Sequence, residues 1–428
     1  MRRKWRRSWA RNKLNLRWDN LTKPFQEFAP WKSLVKRLVP PLTAAGFLLN
    51  SLGIAYALPT DVVTEAGKVT VSQTGNTMTV TETSATGIVS SRTFVINADE
   101  TLNIYQPSSS ATLLWRVAGH DPSVIYGHVN ANGQLFLYNP QGTLFAQGAE
   151  FNGGSLVATS LNITDSDFLA GNYKFSGAST NGAVVNQGTL TAATGGYIAL
   201  MGPQVRNEGI IVARQGTAAL GAGSAVTLDM AGDGLLSLTV DRAAVEASAA
   251  NHNLMQADGG QVIMTASAAG DLIRTAVNNS GVILARSAQE VDGVILLDAG
   301  TNGAAINSGT LDASGKGTGE TGGTVKILGQ TVTLSDGTQI DAGGDSGGGT
   351  VLIGGNYQGK GPEQNATTTT VASGATINAD AITQGKGGQV VVWADGTTNY
   401  GGTVSARGGS VSGDGGTVET SGKQTLIM

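Results

Sequence analysis

The sequence lacks cysteine and is poor in proline, aromatic residues and charge. Without cysteine no disulfide framework holds this 428-residue chain, so burial and backbone pairing must do so. Only 10 prolines are present, which excludes collagen and proline-rich linkers. Aromatic residues make up 5% and charged residues 14%, whereas glycine is abundant, with 62 residues. Together with much Val, Thr, Ala, Ser and Asn, this composition is typical of many short β-strands joined by tight turns.

Charge is distributed unevenly. Residues 1–57 contain 12 Lys or Arg against 2 acidic residues, whereas the remainder contains 15 basic and 29 acidic residues. A basic amino terminus often indicates nucleic-acid binding. Here it precedes an apolar run, residues 42–57, that is short for a membrane span and ends in Ala55-Tyr56-Ala57. We therefore predict no nucleic-acid partner, but an extended signal peptide over residues 1–57 that engages the general secretory machinery and is cleaved before Leu58.

The segment 62–97 alternates apolar and polar residues. Val69, Val71, Met78 and Val80 fall on one face, and Gly75-Asn76 is a hairpin signal between them. Strands with a single apolar face suit the end of a larger stack. We predict an N-terminal β cap here.

Three short motifs recur in the rest of the chain. The first is Asn-x-Gly before alternating apolar residues, the second is Gly-Gly-x-Val or Ile, and the third is an apolar residue, a polar residue and Ala. The first begins at Asn186, Asn207, Asn279 and Asn307; the second at Gly195, Gly259, Gly322, Gly348, Gly387 and Gly415; the third at Leu311, Ile340, Ile377 and Val404. The interleaving of these motifs at one loose period indicates a single supersecondary unit stacked many times.

The repeat unit distinguishes between solenoid classes. No 3.6-residue apolar pattern runs longer than a turn or two, which excludes helical repeats, and the leucine-rich pattern is missing. We therefore predict an all-β chain that forms a right-handed parallel β-helix behind the cap. About 25 residues per coil and about 4.8 Å between strands predict roughly 14 coils and a rod of about 70 Å. Residues 359–362 are predicted to lie in a surface loop inserted into one coil.

Four boxes lie close together near residue 130 and have the composition of turns between short strands, since Asn and Gly tolerate positive φ and Pro presets a turn angle. We expect Asn132 and Asn139 to hold turns with positive φ or with side-chain hydrogen bonds. The boxes are Trp115-Arg116-Val117, Ser123-Val124-Ile125-Tyr126-Gly127, Asn132-Gly133 and Asn139-Pro140-Gln141-Gly142.

The order of these boxes resembles the secretion domain of two-partner secretion exoproteins, the filamentous haemagglutinin family. There an R-V, an S-x-I-x-G, an N-G and an N-P-N-G-I box follow one another. In this chain the last box has Gln141 and Thr143 in place of Asn and Ile. The resemblance covers roughly residues 58–380 and includes Ser166 to Tyr173, similar to the segment that follows the boxes in relatives.

The resemblance implies a secretion domain over residues 58–310, followed by Gly-rich β-helical repeats over 311–428. Because these repeats stop at Leu426-Ile427-Met428 without a polar closing element, we expect that the natural chain is longer or that its gene has been truncated. The resemblance also implies a role for the boxes in recognition by an outer-membrane barrel transporter with periplasmic docking domains. The recognition residues would be Arg116, Ser123, Ile125, Gly127, Asn132, Gly133, Asn139, Pro140, Gln141 and Gly142. The protein would then be secreted to the surface of a Gram-negative bacterium through the periplasm and outer membrane, as an adhesin-like rod that binds an unidentified receptor on host cells, other bacteria or matrix.

Other functional classes have weaker support in the sequence. His120, His128 and His252 lack further ligands at metal-binding spacing, and we expect them at surface or turn positions. Recurrent Asp312, Asp341 and Asp380 are expected to cap turns rather than to bind calcium, because the nine-residue calcium repeat is absent. The chemistry of polysaccharide-acting β-helix enzymes requires clustered carboxylates with a Lys or Arg base near them, and we expect no segment to bring several carboxylates together on successive coils. We therefore predict no metal, cofactor or catalytic residue. Two alternatives stay open at this stage: a polysaccharide-acting β-helix enzyme, and a remnant whose effector region has been lost.

Overall fold

The computed structural model describes residues 58–178, 181–230, 235–269, 274–288 and 291–428. The predicted signal peptide, including Ala55 and Ala57 of its cleavage site, lies outside the described residues. Leu58 is the first residue described. The signal peptide therefore stays a prediction.

The described chain is almost entirely β-structure. Its amino-terminal elements are β1 (Val63–Ala66), β2 (Val69–Thr74), β3 (Thr77–Glu82), β4 (Thr86–Ser91), β5 (Val95–Ile96), β6 (Thr101–Tyr105), β7 (Thr112–Val117), β8 (Ser123–Ile125), β9 (His128–Tyr138), β10 (Thr143–Phe145), β11 (Glu150–Thr159), α1 (Asp165–Leu169), β12 (Lys174–Ser176), β13 (Val184–Asn186), β14 (Thr189–Ala192), β15 (Tyr197–Gly202), β16 (Gln204–Asn207), β17 (Ile210–Val212), β18 (Thr217–Ala222), β19 (Ala225–Asp229) and β20 (Ser237–Arg242).

The carboxy-terminal elements continue the same arrangement. They are β21 (Ser248–Asn251), β22 (Leu254–Gln256), β23 (Gln261–Ala266), β24 (Arg274–Asn279), β25 (Val282–Leu284), β26 (Val294–Asp298), β27 (Gly303–Asn307), β28 (Thr310–Asp312), β29 (Thr324–Leu328), β30 (Thr331–Leu334), β31 (Gln339–Asp341), β32 (Thr350–Ile353), a 3₁₀ turn (Tyr357–Gly359), β33 (Thr368–Val371), β34 (Thr376–Asn378), β35 (Gln389–Ala394), β36 (Thr397–Tyr400), β37 (Thr403–Ser405), β38 (Thr417–Gly422) and β39 (Thr425–Ile427).

These strands form three parallel ladders, one strand from each ladder per coil. The first ladder runs from β3 through β6, β14, β17 and onward to β37, and the second from β4 through β7, β15, β18 and onward to β38. The long strands β9 and β11 belong to both and join them into one sheet. The third ladder runs from β5 to β39. The predicted parallel β-helix is therefore confirmed.

The predicted cap is also present at the amino end. β2 and β3 pair antiparallel across Gly75-Asn76, and Gly75 has a φ of 56°. β1 pairs antiparallel with β4. From β3 and β4 onward the pairing becomes parallel, so the antiparallel strands close this end of the stack.

Apolar residues of successive coils stack inside the helix, as the motifs predicted. Val325 pairs with Val351, Val351 with Val390, and Val390 with Val418. The first three are fully buried, whereas Val418 is 45% exposed because its coil is the last one described. The periodic Gly-Gly-x-Val motif therefore marks one equivalent strand in each coil.

The Asn-x-Gly motif marks a column of buried asparagines at the end of the third ladder. The side-chain amide of Asn186 donates to Asn207 at 2.8 Å, and Asn207 donates to Asn251 at 2.8 Å. Asn251 then donates to Asn279 at 2.8 Å, and Asn279 to Asn307 at 2.7 Å. All five are fully buried. Each side-chain amide therefore supplies a hydrogen-bond partner for the amide on the next coil, as buried polar groups require.

Two features of the rod differ from or refine the sequence expectation. In the described part of the chain the third ladder contains 12 strands rather than about 14. At about 4.8 Å per interval these span about 53 Å. The stack is shorter because residues leave it to form the cap and external segments. The predicted insertion is confirmed: residues 354–367 form a loop between β32 and β33 that includes the 3₁₀ turn.

An external flap, which the sequence did not predict, covers the outer face of the second ladder. It consists of α1 and an antiparallel sheet in the order β12-β19-β20. Thr164 caps α1 by accepting a hydrogen bond from the backbone N–H of Asp167 at 3.1 Å. Phe168 and Phe175 of the flap pack on Phe136 of β9, with ring centroids 5.2 and 6.4 Å apart. The flap buries this second apolar cluster outside the main core.

Candidate functional site

The Asn139 box forms a β-turn whose side chain joins two boxes. The Gly142 N–H donates to the Asn139 carbonyl at 3.0 Å, and the Gln141 N–H donates to Asn139 Oδ1 at 2.9 Å. Asn139 Nδ2 donates to the Asp121 carbonyl at 3.0 Å and to Ser123 Oγ at 2.9 Å. Because Asn139 and Ser123 are fully buried, these bonds hold the turn from inside.

Of the two expectations for this turn, the side-chain bonds are realised and the positive φ is not. Among the described non-glycine residues, positive φ occurs at Leu58, Asp61, Gln215 and Gln358. In the box it falls on Gly142, with a φ of 98°. A Cβ atom at Gly142 would meet the carbonyl of Ala183 on the next coil, so only glycine fits this position.

The Ser123 box forms strand β8 and the corner that follows it. Ile125 is fully buried in the core and pairs with Ile96 on one side and Phe145 on the other. Gly127 follows at the corner, where its N–H donates to the Ile96 carbonyl at 3.2 Å. This box therefore aligns three successive coils.

The Asn132-Gly133 pair was expected to be a turn, and this expectation is wrong. Both residues lie within β9, at the point where it passes from the first ladder to the second. The Asn132 side chain accepts from the Gln106 N–H at 2.6 Å and donates to the Gln106 carbonyl at 2.8 Å. The Asn132 side chain therefore bonds the backbone directly after β6 as a neighbouring strand would, and β9 continues through the bend.

Gln106 is a site residue that sequence reasoning missed. Its buried side chain accepts from the Gly133 N–H at 3.0 Å and donates to Glu82 Oε2 at 3.1 Å. Burial raises the pKa of Glu82 to about 7, although hydrogen bonds from Gln106 and Ser84 oppose the shift. A single Gln in an alternating strand carries no signal that it connects the cap to a box 27 residues away.

The Trp115-Arg116 box connects the core with the flap. Trp115 is fully buried, packs edge-on against Phe94 at 5.1 Å and donates from Nε1 to Ser91 Oγ at 2.8 Å.

Arg116 points outward from the same strand. Its guanidinium donates to Asn162 Oδ1 at 2.6 Å, to the Ile163 carbonyl and to Asp165 Oδ1 at 2.8 Å. It also lies 5.7 Å from the ring centroid of Tyr138. Arg116 therefore fixes the start of the flap to the second ladder.

Most box residues are buried, so they shape a surface rather than form it. Ser123, Ile125, Gly127, Gly133, Asn139 and Gly142 are buried, Arg116 and Pro140 are partly buried, and Asn132 and Gln141 are exposed. The exposed parts of this region are the turn tip at Gln141 and the neighbouring loop at His120 and Asp121. The role of these residues in recognition stays a prediction.

The predicted surface positions of the histidines agree with the structure. His120 is exposed, His128 Nδ1 lies 3.3 Å from Glu150 Oε2, and His252 Nδ1 lies 2.8 Å from Ser280 Oγ. Burial lowers the pKa of His252, partly offset by Glu208. Among the described residues no group of three His, Cys, Asp or Glu side chains is arranged to hold a metal. In that same part of the chain no helix is long and apolar enough to cross a membrane.

The recurrent aspartates cap turns, as predicted for Asp312 and Asp341. Asp312 Oδ1 accepts from the Ser314 N–H at 3.0 Å, and Asp341 Oδ1 from the Gly343 N–H at 2.9 Å. Asp380 instead accepts from the Arg407 N–H at 2.6 Å in the next coil.

The expectation that no carboxylates meet on successive coils is wrong. Asp312 and Asp341 are register partners and, with Asp258 and Asp380, follow one corner of the rod. Three ion pairs neutralise part of this corner: Asp258 with Arg286 at 2.6 Å, Asp341 with Lys316 at 2.8 Å, and Asp380 with Arg407 at 2.7 Å. A cavity of about 310 Å³ at this corner is lined by Asp258, Arg286, Asp312 and Lys316, together with Glu320 and neighbouring small residues.

Comparisons with known proteins identify the family. A family model described as "TPS secretion domain" matches residues 55–313. The crystal structure of the HMW1 secretion domain from Haemophilus influenzae superposes with a TM-score of 0.78 at 28% identity, covering 86% of this chain and 96% of that one.

Two sequences named heme/hemopexin-binding protein, both from Haemophilus influenzae, are 30% identical over 222 and 146 residues, which are 49% and 33% of this chain. The matches cover 24% and 16% of those relatives' own lengths. The names of these relatives describe a secretion domain and two binding proteins. The chain therefore belongs to the two-partner secretion (TPS) domain family, whose members leave the cell through a dedicated outer-membrane transporter and are secreted or displayed at the cell surface.

Proposed function

We propose that this chain is an adhesin-like exoprotein whose boxes build the surface read by the periplasmic docking domains of its barrel transporter. The proposal is supported above all by the Asn139 side chain, which ties the second and fourth boxes into one rigid turn. Buried box residues fix the backbone, and the exposed tip at Gln141 presents it. A preformed surface of this kind lowers the ordering cost of binding.

Export of a substituted chain with its transporter tests this recognition. Asn139→Ala removes three hydrogen bonds, one of them to buried Ser123, at a cost of about 1–3 kcal/mol. Stability of a solenoid is spread over many coil interfaces, so the rod should still fold. We expect the amount in the supernatant to fall severalfold, with protein accumulating in the periplasm and being degraded.

Asn251→Ala provides the matched control. It also removes a fully buried asparagine with three hydrogen bonds, four strands further along the third ladder than Ser123. We expect this variant to be secreted normally although it is at least as destabilised. Equal secretion of the two variants would show that the Asn139 turn is only a structural corner.

The attachment role rests on the coils that follow the matched domain. The strands from Thr324 onward continue the same three ladders and present the outward faces of successive coils in register. We propose that this surface binds a receptor on cells or matrix, without catalysis, since the carboxylates at the corner are held by turn N–H groups and cations. Exported full-length protein should bind immobilised cells saturably and should release no reducing ends from polysaccharides. Polysaccharide cleavage would favour the enzyme alternative.

A further inference from the structure

Leu58, the residue predicted to follow the signal peptide, is placed like an interior residue. Its side chain is fully buried in the main core cluster. Its backbone nitrogen donates to Glu100 Oε2 at 3.1 Å, also in the interior. A residue at the start of an export product is normally frayed. This one is anchored at both its side chain and its nitrogen.

The anchor is a buried carboxylate that pairs with no cation of the described residues. Glu100 is 2% exposed, and its Oε2 also accepts from the Asn97 N–H at 2.7 Å. None of the ion pairs between described residues involves Glu100. Backbone N–H groups alone compensate poorly for taking a charged carboxylate out of water. A positive charge beside Glu100 would therefore stabilise the buried carboxylate.

Leu58 also has an unfavourable backbone in the uncleaved chain. Its φ is 61°, in the left-handed region where the Cβ atom of an L-residue is crowded by its own backbone. The angle φ is defined by the carbonyl of the preceding residue. If Leu58 were the first residue, no preceding carbonyl would exist and this restriction would disappear.

Cleavage at the predicted site resolves both problems at once. A signal peptidase adds water across the Ala57–Leu58 amide, which leaves a carboxylate on Ala57 and a protonated α-amino group on Leu58. The nitrogen that becomes charged is the one already 3.1 Å from Glu100. No movement of the chain is needed for the ion pair to form.

We propose that removal of the signal peptide completes the fold: the new α-ammonium group of Leu58 pairs with Glu100 and locks the amino end onto the first coils. This goes beyond the proposed transporter recognition and does not depend on it. The lock lies beside the second box, because the His128 N–H that follows Gly127 donates to the Glu100 carbonyl at 3.0 Å. The uncleaved precursor has only the amide hydrogen bond from Leu58 to Glu100, so its amino end is held less tightly until processing.

A comparison of two purified chains, one residue apart, tests the lock. One begins at Leu58 and the other at Ala57, so that the second has an amide at Leu58. Each is made with Glu100 and with Glu100→Gln, and amide hydrogen exchange is measured in β3, β5 and β6. In the chain from Leu58 we expect Glu100→Gln to lower protection by about tenfold or more, because it breaks a buried ion pair. In the chain from Ala57 we expect a change of less than about threefold, or a gain.

Two further readouts keep the proposal falsifiable. Glu65→Gln, which alters an exposed carboxylate of the cap that accepts from Ser90 at 2.6 Å, should have the same small effect in both chains. Mass spectrometry of exported protein should find Leu58 as the first residue. An equal effect of Glu100→Gln in the two chains, or an exported chain that begins elsewhere, would overturn the proposal, whether or not the Asn139 box is read by the transporter.

Discussion

The column of buried asparagines allows a quantitative prediction for Asn251→Ala. Asn251 donates to Asn279 Oδ1 at 2.8 Å and to the Asn253 carbonyl at 3.0 Å, and it accepts from Asn207 Nδ2 at 2.8 Å. The substitution leaves one donor of Asn207 and the acceptor of Asn279 buried without these partners. At about 1–3 kcal/mol for each unsatisfied buried group, we expect a loss of about 2–6 kcal/mol.

The loss should be local, because each coil contacts mainly its neighbours. Hydrogen exchange of the β21 and β22 amides is therefore the assay, and a loss of 2 kcal/mol corresponds to about 30-fold faster exchange. Asn253→Ala is the matched control: Asn253 is exposed and donates to the Glu208 carbonyl at 3.1 Å, so its removal should cost about 0.5 kcal/mol or less. Equal exchange rates in the two variants would refute the view that the column stabilises the rod.

Two further predictions concern the connections around the boxes. Burial raises the pKa of Glu82 from 4.5 to about 7, so the stability that its protonated carboxyl contributes is fully present below pH 4.5, falls as pH rises and is lost above about pH 7. Glu82→Gln should therefore stabilise the cap at pH 8 more than at pH 5. A difference in cap hydrogen exchange that does not depend on pH would contradict this. Arg116→Lys keeps the charge but loses the planar fork that binds Asn162 and Asp165, so limited proteolysis should cut the flap severalfold faster. Arg92→Lys, at an exposed arginine, should not change the cleavage rate; comparable cutting in the two variants would argue against the clamp.

Periodic features of the fold were predictable from sequence, and non-periodic ones were not. The Gly-Gly-x-Val motif placed Val325, Val351 and Val390 in register because each coil repeats the same inward position. The asparagine column was only partly visible, since Asn251 is followed by His-Asn rather than x-Gly. The flap was missed because β12 pairs with β19 from about 50 residues further on, and no local pattern records such a pairing.

The candidate site, too, was predictable from the sequence only in part. Turn chemistry predicted the side-chain bonds of Asn139, because Asn-Pro sequences favour them. It failed at Asn132-Gly133, where the side chain bonds the backbone of Gln106 on the neighbouring coil and keeps the strand extended. Glu82 and Glu100 carried no signal either, because a lone carboxylate in a polar segment does not reveal that folding will bury it.

The most direct test of the central claim is site-specific photocrosslinking during export. A photoreactive residue is placed at Gln141, the exposed tip of the Asn139 turn, or at Tyr357, an exposed residue outside the matched secretion domain. We predict a crosslink to the periplasmic part of the transporter from position 141 and none from position 357. Efficient export with no crosslink at 141, or with equal crosslinks at both positions, would contradict recognition of the Asn139 turn by the transporter.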